Sequence, residues 1–261
     1  MIKNVIEIVR EASLLMKNKD FTIHSKGNVS NNVTSVDLSL QAFLKSRLMP
    51  LLDNCGFIGE ESEASDYEHP YLWIVDPLDG TANFIRDIGL SAISVGLLKD
   101  NEPVLGVVYN PYRDEMFYAE KGTGAYLNGE QIKVSGRDLE HSILCTAMSL
   151  YNKDFAKPCL NIIEKVYDKC DDIRRMGSAA LELVYLACGR VDMYFEIRVF
   201  SWDFAAASVI IQESGGYVGT IEYDKPVYNR PIPLLCTNTK ENYEYLKQVV
   251  SEEIPAIPYT H

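Results

Sequence analysis

Residues 72–81 read LWIVDPLDGT, a short apolar run that stops abruptly at two aspartates. The run predicts a buried β-strand, and Asp76 and Asp79 stand at its end with Pro77 between them. Because proline has no N–H and a fixed φ, we expect strand pairing to end just after Asp76, while Gly80 gives the backbone freedom that close approach to a ligand requires. The carboxyl end of a strand is the usual place for ligands in open α/β sheets. We therefore predict that the two carboxylates face a ligand.

An anion site is predicted in the same turn. We expect Thr81 to cap a short helix through Ala82, Asn83 and Phe84. The free N–H groups at such a helix start point at an anion that lies in front of the turn. Carboxylates and an anion site in one turn predict that a metal ion binds between them.

The overall composition limits the classes of partner. The 261 residues include 25 Lys and Arg against 37 Asp and Glu, a net charge of −12. This charge argues against a sequence-independent hold on nucleic acid or on an anionic membrane, so we expect small molecules or cations as partners. No apolar run approaches the roughly 20 residues that span a bilayer, and the N-terminus lacks a signal-peptide core. The six cysteines are scattered without a C-x-x-C pair, so we expect core thiols in a cytoplasmic protein.

The periodicity along the chain predicts two packed halves. The first, residues 1–137, opens with two amphipathic helical segments and continues as an antiparallel meander. The second, residues 138–261, alternates strands and helices, which is typical of layered α/β architecture. We therefore predict an α/β protein of mixed α and β layers, with a domain division after Arg137.

Three more acids stand at predicted strand ends or helix starts. Glu60 follows a short apolar strand, and Asp203 falls in the first turn of a predicted helix. Asp37 is expected either to cap another predicted helix or to lie in its first turn. Ser201 is the expected N-cap of the helix that contains Asp203. A carboxylate in the first turn is stabilised by the helix dipole, which explains Asp37 and Asp203 as well as a metal would. Both explanations stay open on the sequence alone.

Charge predicts what such a cluster of acids would need. Unit charges about 4 Å apart interact by roughly 4 kcal/mol at an effective dielectric constant of 20, so clustered carboxylates must be protonated, paired with a cation or bound to a metal. Oxygen ligands favour Mg²⁺, Mn²⁺ or Ca²⁺. The four histidines, none of them in an H-x-x-x-H arrangement, argue against zinc.

Two other motifs fail on spacing. A calcium-binding EF-hand loop begun at Asp76 needs oxygen side chains at its third and fifth positions and glycine at its sixth, where the chain has Leu78, Gly80 and Thr81. The covalent aspartyl phosphatases carry D-x-D-G-T after a strand, and Pro77 occupies the place of their nucleophilic aspartate. Without that nucleophile, we expect water to attack the substrate directly.

Four segments, in this order, resemble the signature segments of the inositol monophosphatase family. They are GEE at 59–61, DPLDGTANF at 76–84, WDFAA at 202–206 and ESGG at 213–216. The resemblance implies an αβαβα layered sandwich, frequent homodimers and inhibition by lithium. It also implies Mg²⁺-dependent hydrolysis of phosphate monoesters.

The resemblance further assigns metal ligands. Glu60, Asp76 and the backbone carbonyl of Leu78 would bind one Mg²⁺. Asp76, Asp79 and Asp203 would bind a second. Two or three Mg²⁺ ions per site are implied, with Mn²⁺ as the alternative.

Roles in catalysis are implied in the same way. Thr81, with Glu60 and the first metal, would orient and deprotonate the attacking water, and the N–H groups of Gly80 and Thr81 would receive the phosphate. The second metal would stabilise the leaving alkoxide. Asp37 matches an acid that supports a third metal or the water network.

For substrate contacts, the resemblance points to Asp79, to the backbone of Gly177, Ser178 and Ala179, and to Glu196. The alternative for Glu196 is a plain surface acid. A carboxylate at this place suits hydroxyl recognition, because it accepts hydrogen bonds from a polyol and would repel an extra phosphate.

The predicted substrate is a small sugar or polyol monophosphate, with inositol 1-phosphate the first compound to assay. The only basic residues found near the motifs are Arg86, Arg174 and Arg175, whose direction the sequence leaves open. A 3′-phosphoadenosine 5′-phosphate phosphatase or a fructose 1,6-bisphosphatase is the runner-up. Outside enzymes, the alternative is an inactive relative that binds metal or phosphate.

Overall fold

The computed structural model describes residues 1–18, 20–25, 32–62, 67–148, 153–223 and 225–254. Within these residues, helices and sheets alternate in five layers. Helices cover one face of a first sheet, further helices fill the space between it and a second sheet, and a last pair covers the outer face of the second sheet. This order confirms the predicted αβαβα sandwich.

The outer layer on the first sheet consists of two helices, α1 (Ile2–Ala12) and α2 (Ser35–Leu48). A short ribbon of β1 (Ile23–Ser25) and β2 (Asn32–Thr34) lies between them in sequence. Both helices bury an apolar stripe against the sheet, because their apolar residues recur at helical spacing. The predicted amphipathic helices are therefore confirmed.

The first sheet contains seven strands among the described residues, in the order in which they follow along the chain. They are β3 (Cys55–Gly59), β4 (Tyr71–Asp79), β5 (Ala92–Lys99), β6 (Glu102–Asn110), β7 (Glu115–Glu120), β8 (Ala125–Leu127) and β9 (Glu130–Ile132). The strands β3 and β4 are parallel, and each later strand pairs antiparallel with the one before it. The predicted meander is thus confirmed.

Strand β4 differs from its prediction at Pro77. Pairing with β5 does not end after Asp76, as the sequence led us to expect. It shifts register and resumes where Asp79 pairs with Ala92. Proline removes one ladder hydrogen bond, and an irregularity in the ladder accommodates that loss without ending the strand.

The middle layer is formed by α5 (Ala179–Ala187) and α6 (Ser201–Glu213). The helix α6 packs closely on the first sheet, because Gly96 and Gly106 face each other in β5 and β6 beneath Ala206. Its N-cap is Phe200 rather than the predicted Ser201, which is the first helical residue. The Asp203 side chain accepts a hydrogen bond from the Phe200 N–H, which fixes Phe200 at the N-cap position.

The second sheet contains five strands among the described residues. In spatial order they are β11 (Asp172–Arg174), β10 (Ile143–Ala147), β12 (Met193–Val199), β14 (Ile232–Thr237) and β13 (Tyr217–Gly219). Two helices cover its outer face, α4 (Ala156–Tyr167) and α7 (Lys240–Glu253).

The predicted division after Arg137 falls between the last strand of the first sheet and the first strand of the second. The largest core cluster nevertheless contains residues from both halves, from Ile58 on β3 to Cys236 on β14. The two halves therefore share buried surface through the middle helices, and a division into two domains stays a prediction.

All six cysteines are free, and four of them are buried. This confirms the predicted core thiols. Within the described ranges, none of the helices combines the length and the apolar character needed to cross a bilayer.

Candidate active site

A cavity of about 460 Å³ opens where β4 ends, and both halves of the chain contribute to its wall. Eleven of the twelve residues predicted for the site line it. They are Glu60, Asp76, Leu78, Asp79, Gly80, Thr81, Gly177, Ser178, Ala179, Glu196 and Asp203. The twelfth, Asp37, lies behind the wall and reaches the cavity through Thr81.

The end of β4 is held by the Asp76 side chain, and the turn that follows depends on a glycine. Asp76 Oδ1 accepts a hydrogen bond from the Leu78 N–H at 3.0 Å, which fixes the bulge around Pro77. Gly80 has φ of +80°, and a Cβ there would meet the Leu90 carbonyl oxygen at 2.8 Å. Glycine is required here for both reasons.

A short helix, α3 (Thr81–Ile85), starts at this turn. Its N-cap is Gly80, so the prediction that Thr81 caps it is wrong. Thr81 instead occupies the first helical position, and its hydroxyl faces other acceptors. Thr81 Oγ1 lies 3.1 Å from Asp37 Oδ1 and 3.0 Å from the Leu78 carbonyl oxygen. The single hydroxyl proton can serve only one of these acceptors at a time.

Asp37 is positioned by the start of α2. Its Oδ2 accepts hydrogen bonds from Thr34 N at 2.8 Å and Thr34 Oγ1 at 2.5 Å, which completes a capping box. Of the two places predicted for Asp37, the structure shows the first helical turn. Burial raises the pKa of Asp37, and the hydrogen bonds from Thr34 and Thr81 offset part of that rise.

Asp79 binds the N-terminus of α5 across the cavity wall. Its carboxylate accepts hydrogen bonds from Ser178 Oγ, from Ala180 N at 2.9 Å and from Ala179 N at 3.3 Å. Burial raises the pKa of Asp79 to about 6, although these hydrogen bonds favour the charged form. Ser178 and Ala179, which are predicted to contact the substrate, therefore also bind Asp79, a predicted metal ligand.

The loop before α5 is fixed from two sides. Glu182 Oε1 accepts hydrogen bonds from Met176 N at 2.5 Å and Gly177 N at 3.1 Å. From the other side, Asn83 Nδ2 donates to the carbonyl oxygens of Met176 and Leu90, both at 2.8 Å. Burial raises the pKa of Glu182 to about 8. Glu182 was not predicted as a site residue, because no local sequence pattern indicates that a helical acid accepts hydrogen bonds from the loop before its helix.

The predicted acids on β4 and α6 influence each other. Asp203 Oδ2 accepts a hydrogen bond from Phe200 N at 2.7 Å. Burial, followed by the negative charge of Glu60, raises the pKa of both Asp76 and Asp203 well above the usual range. Glu60 and Asp203 belong to opposite halves of the chain, so tertiary packing brings the acids together.

The acidic side chains of the cavity have the chemistry of a metal site. Among the described residues, no group of three or more His, Cys, Asp and Glu side chains already stands close enough together to hold an ion. Glu60, Asp76, Asp79 and Asp203 nevertheless line one cavity, and their mutual repulsion is what a bound cation would relieve. All these donors are oxygens, which suits Mg²⁺ or Mn²⁺ rather than zinc. The chemistry of the residues therefore fits the metal that the sequence predicts.

Glu196 lies on the side of the cavity away from β4. Its Oε2 accepts a hydrogen bond from the Tyr194 hydroxyl at 2.7 Å, and burial raises its pKa to about 7. The side chain lines the cavity, as a substrate contact would, and the contact itself stays a prediction.

Of the three arginines that the sequence places near the motifs, only one lines the cavity. Arg86 does not line it and donates instead to the Ala82 carbonyl oxygen at 3.2 Å, while Arg174 pairs with Asp172. Arg175 does line it, together with Arg198, which the sequence analysis missed.

A strand-period signal could have found the missed residues on the far wall. Glu196 and Arg198 alternate at the end of β12, and Phe200 follows directly after the strand. Alternate residues of a strand share one face. Trp202 also lines the cavity, and its ring stacks on Phe200 with centroids 4.8 Å apart.

Residues 1–254 match the model of the inositol monophosphatase family. The chain belongs to this family. The match confirms the resemblance that the signature segments predicted.

Several bacterial proteins are similar to most of the chain. The Nus factor SuhB of Escherichia coli (strain K12) is 38% identical over 224 residues, which cover 84% of each protein. The inositol-1-monophosphatase of Caulobacter vibrioides is 38% identical over 204 residues, 76% of this chain and 79% of that protein. The crystal structure of the extragenic suppressor protein suhB from Bartonella henselae superimposes with a TM-score of 0.88 at 30% identity, covering 97% of this chain and 99% of that one.

Proposed function

We propose that this protein is a metal-dependent phosphoric monoester hydrolase. The observation that carries the proposal is the convergence of four carboxylates and the glycine–threonine turn of β4 on one cavity. Membership of the inositol monophosphatase family supports the same activity.

We assign the metal ligands to the residues that the sequence predicted. Glu60, Asp76 and the Leu78 carbonyl would hold one Mg²⁺, and Asp76, Asp79 and Asp203 a second. Bound there, Mg²⁺ or Mn²⁺ would supply Lewis acidity for activating water and for stabilising the leaving oxygen. The family resemblance implies two or three ions per site, so the alternative to these two ions is a set of three.

The chain's own residues would position the reactants. The N–H groups of Gly80 and Thr81 would receive the phosphate at the start of α3. The Thr81 hydroxyl, 3.1 Å from Asp37, would orient the attacking water together with Glu60. Because Asp37 is fixed by Thr34 at the start of α2, it keeps the Thr81 hydroxyl in one place.

We further propose a sugar or polyol phosphate as the substrate class. Asp79, Glu196 and the backbone of Gly177, Ser178 and Ala179 would accept and donate hydrogen bonds to the hydroxyl groups. All five line the cavity. Inositol 1-phosphate is therefore the reference compound for an assay.

Phosphate release from inositol 1-phosphate tests the activity directly. We expect turnover with Mg²⁺ and none in excess chelator. Asp203→Asn should reduce it strongly, whereas Asp138→Asn, at an exposed acid that pairs with His141, is the matched control and should not. Full turnover in excess chelator would refute the metal mechanism.

A second candidate comes from the relatives called Nus factor SuhB, whose name describes a role other than hydrolysis. In this second candidate, the protein is an inactive relative that binds a metal or phosphate and acts as a binding partner. The complete set of acids in the cavity favours activity. A protein that binds Mg²⁺ and phosphate without any turnover would support the second candidate. The family resemblance also leads us to propose a homodimer.

A further inference from the structure

Two arginines in the far wall of the cavity have hydrogen-bonding capacity that the protein does not use. Arg175 and Arg198 both line the cavity. Within the described residues, neither guanidinium donates a hydrogen bond or forms an ion pair, and the buried Nε of Arg198 has no partner. Buried donors are normally paired, so the buried Nε of Arg198 indicates an acceptor that the protein itself does not provide, whereas Arg175 lines the same cavity as an exposed residue.

Arg198 is braced where it stands. Its Cζ lies 5.5 Å from the centre of the Phe200 ring, and Phe200 stacks on Trp202 with ring planes within 3° of parallel. A guanidinium supported by an aromatic ring keeps its N–H groups available for a planar or tetrahedral anion. The aromatic pair therefore orients the charge without consuming its donors.

Arg175 acts on the same part of the cavity. Its charge lowers the pKa of Glu196, against the larger rise that burial causes. Glu196 lies two residues before Arg198 on β12 and lines the cavity with both arginines, so their two positive charges offset the repulsion that we expected Glu196 to exert on a second anion. This wall therefore carries two positive charges, whereas the acids line the rest of the cavity around the end of β4. These acids are Glu60, Asp76, Asp79 and Asp203.

We propose that Arg175 and Arg198 form a subsite for a second anionic group of the substrate, a phosphate or a carboxylate. This inference rests on the proposed function, because it concerns the far end of a substrate whose scissile phosphate lies at Gly80 and Thr81. Arginine binds both kinds of anion through paired N–H donors. The preferred substrate is then a sugar or polyol phosphate with two anionic groups, since a second anion would give the buried Arg198 Nε an acceptor and the Arg175 charge a partner.

Matched substrate pairs test the subsite. We would measure kcat/KM of the full chain with Mg²⁺ for inositol 1-phosphate against inositol 1,4-bisphosphate, and for glycerol 2-phosphate against 2-phosphoglycerate. The first pair adds a phosphate and the second a carboxylate. We expect the doubly anionic compound to be preferred by about tenfold or more in at least one pair, as for a hydrogen bond to a charged group.

The variants Arg175→Gln and Arg198→Gln should each reduce that preference by about tenfold. The control is Arg86→Gln, at an exposed arginine outside the cavity wall, which should leave the preference unchanged. The proposal is overturned if the wild-type protein shows no preference in either pair, or if the preference survives in both arginine variants.

A failure of the proposed function would give a different result, the absence of phosphate release from all four compounds. In that case the dissociation constants of the same compounds, measured by calorimetry with Mg²⁺, replace kcat/KM. Tighter binding of a doubly anionic compound that is lost in Arg198→Gln supports the subsite. Equal binding within each pair, or a preference unchanged in this variant, overturns it.

Discussion

The contact between α6 and the first sheet can be tested by adding one methyl group. A Cβ at Gly106 would meet the Ala206 carbonyl oxygen at 2.1 Å and its Cα at 3.0 Å, whereas ordinary Cβ contacts begin near 3.4 Å. The atoms it meets belong to the helix backbone, so no side chain can rotate away. In Gly106→Ala, α6 must therefore move by about 1 Å, away from a sheet that is already closely packed.

We expect Gly106→Ala to lower the free energy of unfolding by about 3 kcal/mol, the upper part of the range for overpacking a buried contact. For a chain of this size, that corresponds to a fall in Tm of roughly 6–10 °C. Because Asp203 lies in the first turn of α6, the displacement should also weaken the stabilisation of the protein by Mg²⁺.

Urea and thermal unfolding, each with and without Mg²⁺, measure both effects. Gly136→Ala is the matched control, because a Cβ at Gly136 meets nothing within 4 Å and its φ is not in the left-handed region. The control should stay within about 0.5 kcal/mol of the wild type. If Gly106→Ala were as stable as Gly136→Ala, the close packing of α6 on β6 would be wrong.

Three further predictions concern chemistry and assembly. Asp79→Asn should reduce turnover by about 100-fold or more while the protein stays folded, since it removes a buried charge but keeps an acceptor for Ser178 and Ala180; near-normal turnover would exclude Asp79 as a metal ligand. Hydrolysis in ¹⁸O-water should label the released phosphate without any phospho-enzyme, because Pro77 replaces the aspartate that a covalent mechanism needs; trapping of a phospho-protein would contradict this. Sedimentation at micromolar concentration should show the homodimer that the family resemblance implies, and a monomer would remove that proposal.

Local signals in the sequence predicted much of the site. The apolar run before Asp76 identified β4, and the start of the second amphipathic segment placed Asp37 at the beginning of α2. Such features depend on residues within one turn or one strand, so their physical causes are present in the sequence itself.

Other features could not be predicted, because they depend on residues far apart in the chain. Ser178 and Asp79 are 99 positions apart, yet they are hydrogen-bonded in the cavity wall. The direction of Arg175 stayed open on the sequence and Arg198 was not considered, since tertiary packing decides which arginines line the cavity. The N-cap of α6 differs from the prediction for a local reason: propensity favours Ser201, but the Asp203 side chain accepts a hydrogen bond from the N–H of Phe200, the actual N-cap.

From the sequence alone, the kinds of element, the identity of the acids and the family resemblance could be established. They follow from periodicity, turn chemistry and the residue types that a metal ion or a phosphate requires. The arrangement of the cavity depended on the packing of α5 and α6 between two sheets, which brings Asp203 and Glu196 opposite the end of β4. Burial in that shared core, together with the proximity of like charges, raises the pKa of Asp76 and Asp203, and neither cause can be read from positions along a chain.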